Sequence, residues 1–189
     1  PVESVFGMHN IPGMAVGTFA IKSGPMMAAF DIFNVKIIGK GGHAAMPQFT
    51  IDPIVIGAKI IEAYQSIISR FIDPQQPAVI SITQIHGGDA YNVIPDSIDI
   101  KGCTRCFSPK IQLLMETKMR QMATDICKAY GATAEFTYEK RYPPTANSQA
   151  ETDIAASVAA GIVGAERVNT SPTAAMGSED FAFMLQEKP

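Results

Sequence analysis

The run Gly39-Lys-Gly-Gly-His-Ala-Ala-Met-Pro47 sets His43, one of three histidines, in a glycine-rich turn. So many glycines cost backbone entropy that a purely structural turn rarely needs. Their use would be to let the main chain approach a ligand and leave the imidazole exposed at the tip. Alternatively, the run is a loop with a solvated histidine. His9 closes a strand-like segment and, taken alone, reads as a strand-end histidine bonded to a neighbouring carbonyl. Asn92 sits in a loop after Gly87-Gly88-Asp89, where its amide could bind a substrate carbonyl or carboxylate, or make a local turn bond. Arg105 could hold a carboxylate through paired N–H bonds, or form a surface salt bridge. Glu179 and Asp180 follow Gly177-Ser178, as helix-start residues that favour the N-terminal dipole would. His86 has no matched role and reads as loop surface. Cys103 and Cys106 form a C-x-x-C, but residues three apart on a strand point to opposite faces. No second pair follows, so the three cysteines read as reduced thiols.

The elements that position these residues follow from patterning. Val5–Met8 and Thr18–Lys22 read as short strands around the Asn10–Gly13 turn. Residues 31–38 alternate, with Phe33, Val35 and Ile37 set against Ile32, Asn34 and Lys36. Asp52-Pro53 opens a helix with Asp at N-cap and Pro at N1. Its apolar spacing runs through Ile54, Ala58, Ile61, Tyr64/Gln65 and Ile68 to Asp73-Pro74. Residues 78–85 and 97–107 are strands. Ser108-Pro109 opens a second helix, closed near Gly131, and 132–140 is a further strand. The order is β-α-β-β-α-β, a split βαβ pattern giving a four-stranded antiparallel sheet with both helices on one face. This ferredoxin-like domain is expected at 31–145. Residues 1–30 and 146–189, with a helix at 151–164 and a short helical end, are expected to be two parts of a second domain. That second domain is too incomplete to bury its own core.

Hydrophobic content of 47% and charged content of 17% describe a globular chain. A net charge of -3 without a basic block gives no reason to expect a nucleic-acid or anionic-membrane partner. No apolar run reaches the roughly 18 residues of a membrane span. The abrupt ends at Pro1 and Pro189 read as those of an internal piece of a longer protein. The setting is expected to be cytoplasmic, although a leader could lie outside the piece.

The stretches Phe6–Pro12, Gly39–Pro47, Gly87–Asp96, Gly102–Arg105, Tyr142–Pro144 and Gly177–Phe181 occur in one order along the chain. As an ordered set they resemble the M20 metallopeptidases. The match is to the branch of hippurate hydrolases, N-acyl-amino-acid amidohydrolases and auxin-conjugate hydrolases. The resemblance implies that 31–145 is a lid and dimerisation domain inserted in a partial α/β catalytic domain, formed by 1–30 and 146–189. It also implies a divalent metal centre, two ions of zinc, manganese or similar, and hydrolysis of the amide of an N-acyl amino acid or conjugate. N-acetyl-diaminopimelate is an alternative substrate.

Carried onto this chain, the resemblance makes His9 a metal ligand. It makes His43 a lid group that stabilises charge on the substrate oxygen, often across a dimer. Asn92 and Arg105 become substrate contacts, and Glu179 a near-site residue without an assigned step. Cys103 and Cys106 depart from the Thr-type residues common beside such an arginine. The family's Cys-Gly-His-Asp motif, its tandem glutamates and its C-terminal ligand histidine do not occur in the chain. The polypeptide as written is therefore expected to be inactive, and the parent protein to be the enzyme. The competing reading is a non-catalytic dimerisation or small-ligand-binding module, since such folds host both.

Overall fold

A computed structural model describes residues 2–189. The chain runs β1 (Phe19–Ala20), β2 (Gly24–Met27), β3 (Ala29–Ile38), β4 (Gly42–His43), α1 (Pro53–Phe71), β5 (Ala78–His86), β6 (Val93–Ile94) and β7 (Ser97–Cys106). It continues through α2 (Pro109–Ala129), β8 (Thr133–Tyr142), β9 (Thr145–Asn147), α3 (Gln149–Val163), β10 (Val168–Asn169) and α4 (Phe181–Glu187). Mixed α/β architecture follows. The chain divides into two compact units, Pro1–Phe30 with Tyr142–Pro189, and Asp31–Arg141.

The Asp31–Arg141 unit holds a four-stranded sheet in the order β5-β7-β3-β8, with β5 and β7 antiparallel. Helices α1 and α2 pack on each other and on β5 and β7. Period-2 alternation buries Phe33, Val35 and Ile37 on β3 and Ile98 and Ile100 on β7. The Asp52 carboxylate accepts from Ile54 N at 2.9 Å, capping α1 as its sequence predicts. Ser108 holds the corresponding place on α2 but makes no side-chain cap bond. At the far end of α2, Gly131 takes φ +75°. There Ala132 N reaches Cys127 O at 2.8 Å and Gly131 N reaches Lys128 O at 3.1 Å, a Schellman closure.

The buried face of α1 differs from the expected stripe. Ile56, Gly57, Ile60, Tyr64 and Ile67 are buried, whereas Ile54 is exposed. The helix is apolar on several faces, so more than one set of positions has helical spacing. Contact with the sheet selects among them. A Cβ on Gly57 would stand 2.5 Å from Ile98 Cδ1, so this glycine lets α1 lie close against β7. Tyr64 then donates to Met119 O at 3.0 Å, joining the two helices through a fully buried phenol.

The other unit pairs β1 with β10 in parallel and β2 with β9 antiparallel. Residues 142–145 belong to it, because β9 begins at Thr145 on the β2 edge; the sequence reading had put the break after 145. Val5–Met8, expected as a strand, forms none. A strand needs a ladder partner, and among the described residues this segment has one backbone bond, Val5 N to Pro189 O at 2.9 Å. Of the expected Thr18–Lys22 strand, only Phe19–Ala20 pairs. Among the described residues no helix is long and apolar enough to cross a membrane.

Candidate functional site

His43 ends β4, which pairs with β6 so that His43 lies opposite Val93. Main-chain N–H groups tie the loop to Asn92 and Asp96. Gly39 N donates to Asp96 O at 2.9 Å, Ala44 N to Asn92 O at 2.9 Å, and Gly41 N to the Asp96 carboxylate at 2.8 Å. The glycines serve this closure. A Cβ on Gly39 would stand 2.1 Å from Ile51 O, and one on Gly41 2.5 Å from Ile94 O. Neither takes a positive φ. Close approach of backbone to backbone thus accounts for residues that the sequence suggested were cleared for a ligand.

The imidazole itself is exposed, and its Nδ1 accepts from Ala45 N at 3.1 Å. An acceptor at Nδ1 places the proton of the neutral ring on Nε2. His43 therefore presents an N–H donor outward from a closed, braced turn. Asn92 is exposed beside it, held through the Ala44–Asn92 bond and the β4–β6 pair. The structure brings these two candidates together.

Arg105 is elsewhere. It lies near the far end of β7, opposite Val79 of β5. From Ser97, next to the β6 turn, to Arg105 is eight residue steps along β7, about 26 Å at about 3.3 Å per residue. Arg105 thus lies toward the end of β7 away from Ser97, whereas His43 and Asn92 lie at the separate β4–β6 pair that precedes Ser97. Cys103 and Cys106 show the alternation expected of a strand: Cys106 is buried and Cys103 half-buried, and all three cysteines are free. Burial pushes the Cys106 thiol up to about 11, which suits a packing residue and not a nucleophile. His86 is exposed at the end of β5, with Nε2 3.1 Å from Gln84 Oε1.

In the other unit, His9 and Glu179 meet, Nε2 of the ring against Oε2 of the carboxylate. The histidine side chain is 54% exposed and the glutamate 17%. The segment bearing His9 is irregular, and the C-terminal stretch supports it. Besides the Val5–Pro189 bond, Gly7 lies against the Phe181 ring, where a Cβ would come within 3.3 Å. Asp180 is the N-cap of α4 and makes no side-chain cap bond. A structural metal site takes about four protein ligands and a catalytic one about three. Among the described residues no group of three or more His, Cys, Asp or Glu side chains is arranged to hold an ion. His9 has the right chemistry for one ligand, and a complete centre needs donors beyond those described here.

The sequence reading missed a buried polar cluster behind Arg105. Asp31 is 1% exposed. It accepts from Gln112 Nε2 at 2.9 and 2.8 Å and from the Tyr138 hydroxyl at 2.7 Å. Thr104 Oγ1 lies 2.6 Å from that hydroxyl. Burial, followed by the adjoining carboxylate, pushes the Tyr138 phenol well above its usual range. The signal was available: Asp31 shares the period-2 face of Phe33, Val35 and Ile37.

The class of the chain follows from comparison with known proteins. The model of peptidase family M20/M25/M40 matches residues 1–189, and the chain belongs to this family. It is 42% identical over 188 residues to the N-acetylcysteine deacetylase of Bacillus subtilis, covering 100% of this chain and 49% of that protein. It is 42% identical over 146 residues to the N-acyl-L-amino acid amidohydrolase of Geobacillus stearothermophilus, covering 77% of this chain and 40% of the relative. A solved Bacillus subtilis structure, described as a dinuclear metal binding peptidase from the M20 family, superposes with TM-score 0.81 at 33% identity. That match covers 100% of this chain and 46% of the solved one. The chain thus spans about half the length of the relatives it matches.

Proposed function

We propose that this chain is part of a metal-dependent amidohydrolase acting on N-acyl amino acids or related conjugates. The observation that carries the reading is the His43 turn: an exposed imidazole whose Nδ1 is occupied by Ala45 N–H, leaving an Nε2–H donor. Amide hydrolysis builds negative charge on the carbonyl oxygen, and a preorganised donor there lowers the barrier. Divalent ions, when bound, would supply carbonyl polarisation and an activated water; His9 is the residue we assign to holding one. His43 donates to the substrate oxygen, Asn92 orients the acyl-amide group, and Arg105 holds the free carboxylate. In this reading 31–141 acts as a lid, and the three free cysteines suit a reducing cytoplasm.

The strand length adds a constraint. A small N-acyl amino acid is no longer than about three extended residues, about 10 Å. It does not bridge the roughly 26 Å of β7 that separates Arg105 from Ser97, the end of the strand beside the β4–β6 turn. We therefore assign the working site to two copies, with Arg105 from one and His43 and Asn92 from the other. The protein completed to its relatives' length tests this. His43→Ala and Arg105→Ala variants, each nearly inactive, are mixed under exchange conditions. Random pairing in a two-fold dimer regenerates one intact site in each mixed dimer, hence about one quarter of wild-type turnover. No recovery on mixing, with exchange demonstrated, sinks the shared site. Normal turnover by the His43→Ala variant would instead favour a non-catalytic dimerisation module. N-acetyl-diaminopimelate, tried beside N-acetyl amino acids, separates the substrate alternatives.

A further inference from the structure

We infer that Asp31 is a positioning residue for Arg105: its buried carboxylate ties β3, α2 and β8 to the end of β7 and so aims the guanidinium. The inference rests on the reading of Arg105 as the group that holds the substrate carboxylate, and it adds what fixes that group. Arg105 stands where β7 is least held. The β5–β7 ladder ends one rung later, at Ala78 and Cys106. The chain then turns into α2, whose Ser108 makes no side-chain cap bond. Element ends open most readily, so this corner needs another tie.

The Asp31 cluster supplies it on the covered face of the sheet. Tyr138 has one hydroxyl hydrogen, and it goes to Asp31 Oδ2 at 2.7 Å. Thr104 Oγ1, 2.6 Å from the same hydroxyl, is therefore the donor of that pair. Thr104 thus reaches Asp31 through Tyr138, while Gln112, in the first turn of α2, spans both carboxylate oxygens. On the other side of Arg105, the Cys106 thiol donates to Ser108 O at 3.4 Å. Thr104 and Cys106 are each fully buried. With both neighbours held on the covered face, strand alternation sends Arg105 out of the opposite one. Phe33, Val35 and Ile37 fill the same face of β3 with apolar groups. A carboxylate there is costly unless it is hydrogen-bonded, and a satisfied network holds its members in one arrangement.

The test uses the protein completed to its relatives' length and follows acetate release from an N-acetyl amino acid and from its carboxamide, which lacks the charge Arg105 would pair. Wild type is expected to prefer the carboxylate. Asp31→Asn keeps the shape and removes the charge. It should raise KM for the carboxylate substrate about 10-fold, with kcat for it and kcat/KM for the carboxamide each within about two-fold of wild type. Tyr138→Phe removes one hydroxyl and leaves the ring, so it should give the same pattern at about 3-fold. It decides the matter if Asp31→Asn does not fold. Equal losses on both substrates mark a merely structural network and overturn the inference, as does an unchanged KM in both variants. Failure of the underlying reading looks different: wild type would show no preference for the carboxylate, and Arg105→Ala would treat the two substrates as wild type does.

Discussion

The two units of this chain bury different things. Asp31–Arg141 closes over Phe33, Val35, Ile37, Ile56, Ile60, Tyr64, Ile67, Ile100, Met115 and Met119, each at most 3% exposed. In the unit formed by the two ends, the buried apolar residues among those described are Ala28, Ala29, Ala159 and Ala182. Its larger apolar groups face outward: Ile154, Val158 and Ile162 on α3 are 56%, 59% and 72% exposed. Those three recur at i, i+4 and i+8, the spacing of a helix face that is normally covered. One unit carries its own hydrophobic stabilisation. The other holds its shape through short strand pairs and loop contacts, and it is the one that carries His9 and Glu179.

The comparison can be broken most directly by separating the units. Residues 31–141 expressed alone should unfold in one cooperative thermal transition. Residues 1–30 linked to 142–189 should give no sharp transition in the same scan. Within the intact chain the contrast should appear residue by residue. Ile100→Ala, in the packed sheet, should cost about 2–5 kcal/mol in denaturant unfolding, whereas Ile162→Ala should stay within about 0.5 kcal/mol. Equal costs would erase the distinction.

A smaller effect sharpens it through pH. The buried Cys106 thiol is raised to about 11 from 9.0, mainly by burial. The native state therefore keeps a proton that the unfolded chain releases first. The associated stability is complete below about pH 9 and is lost as pH rises through about 11. The 31–141 unit should weaken over that window, and Cys106→Ala should flatten the slope, leaving the part due to the buried Cys127 thiol and the Tyr64 and Tyr138 phenols, each also raised by burial. Smallest of the set, Asp52→Ala should remove the α1 cap and cost about 1 kcal/mol.

What could be read in the sequence follows the same division. Strands β3, β5, β7 and β8 were legible because each pairs within a sheet that has one buried face, so alternation reports burial. The face of α1 was not legible, because Ile54, Ile56, Ile60, Ile61 and Ile68 offer several apolar stripes and only packing against α2, β5 and β7 chooses among them. Val5–Met8 misled for the opposite reason: strand propensity without a partner gives an irregular segment. At the site, His43 and Asn92 were each visible, but their adjacency comes from the β4–β6 pair, two residues a side. The separation of Arg105 from them needed the sheet. The Glu179–His9 contact joins opposite ends of the chain and leaves no local signal.

The most direct measurement is turnover of N-acetyl amino acids by the completed protein, before and after stripping divalent metal, in wild type and His43→Ala. The account predicts that stripping abolishes turnover and that added metal restores it. It also predicts that His43→Ala lowers kcat by about 10²- to 10³-fold with metal content and dimerisation intact. Unchanged turnover in the metal-stripped protein would contradict it.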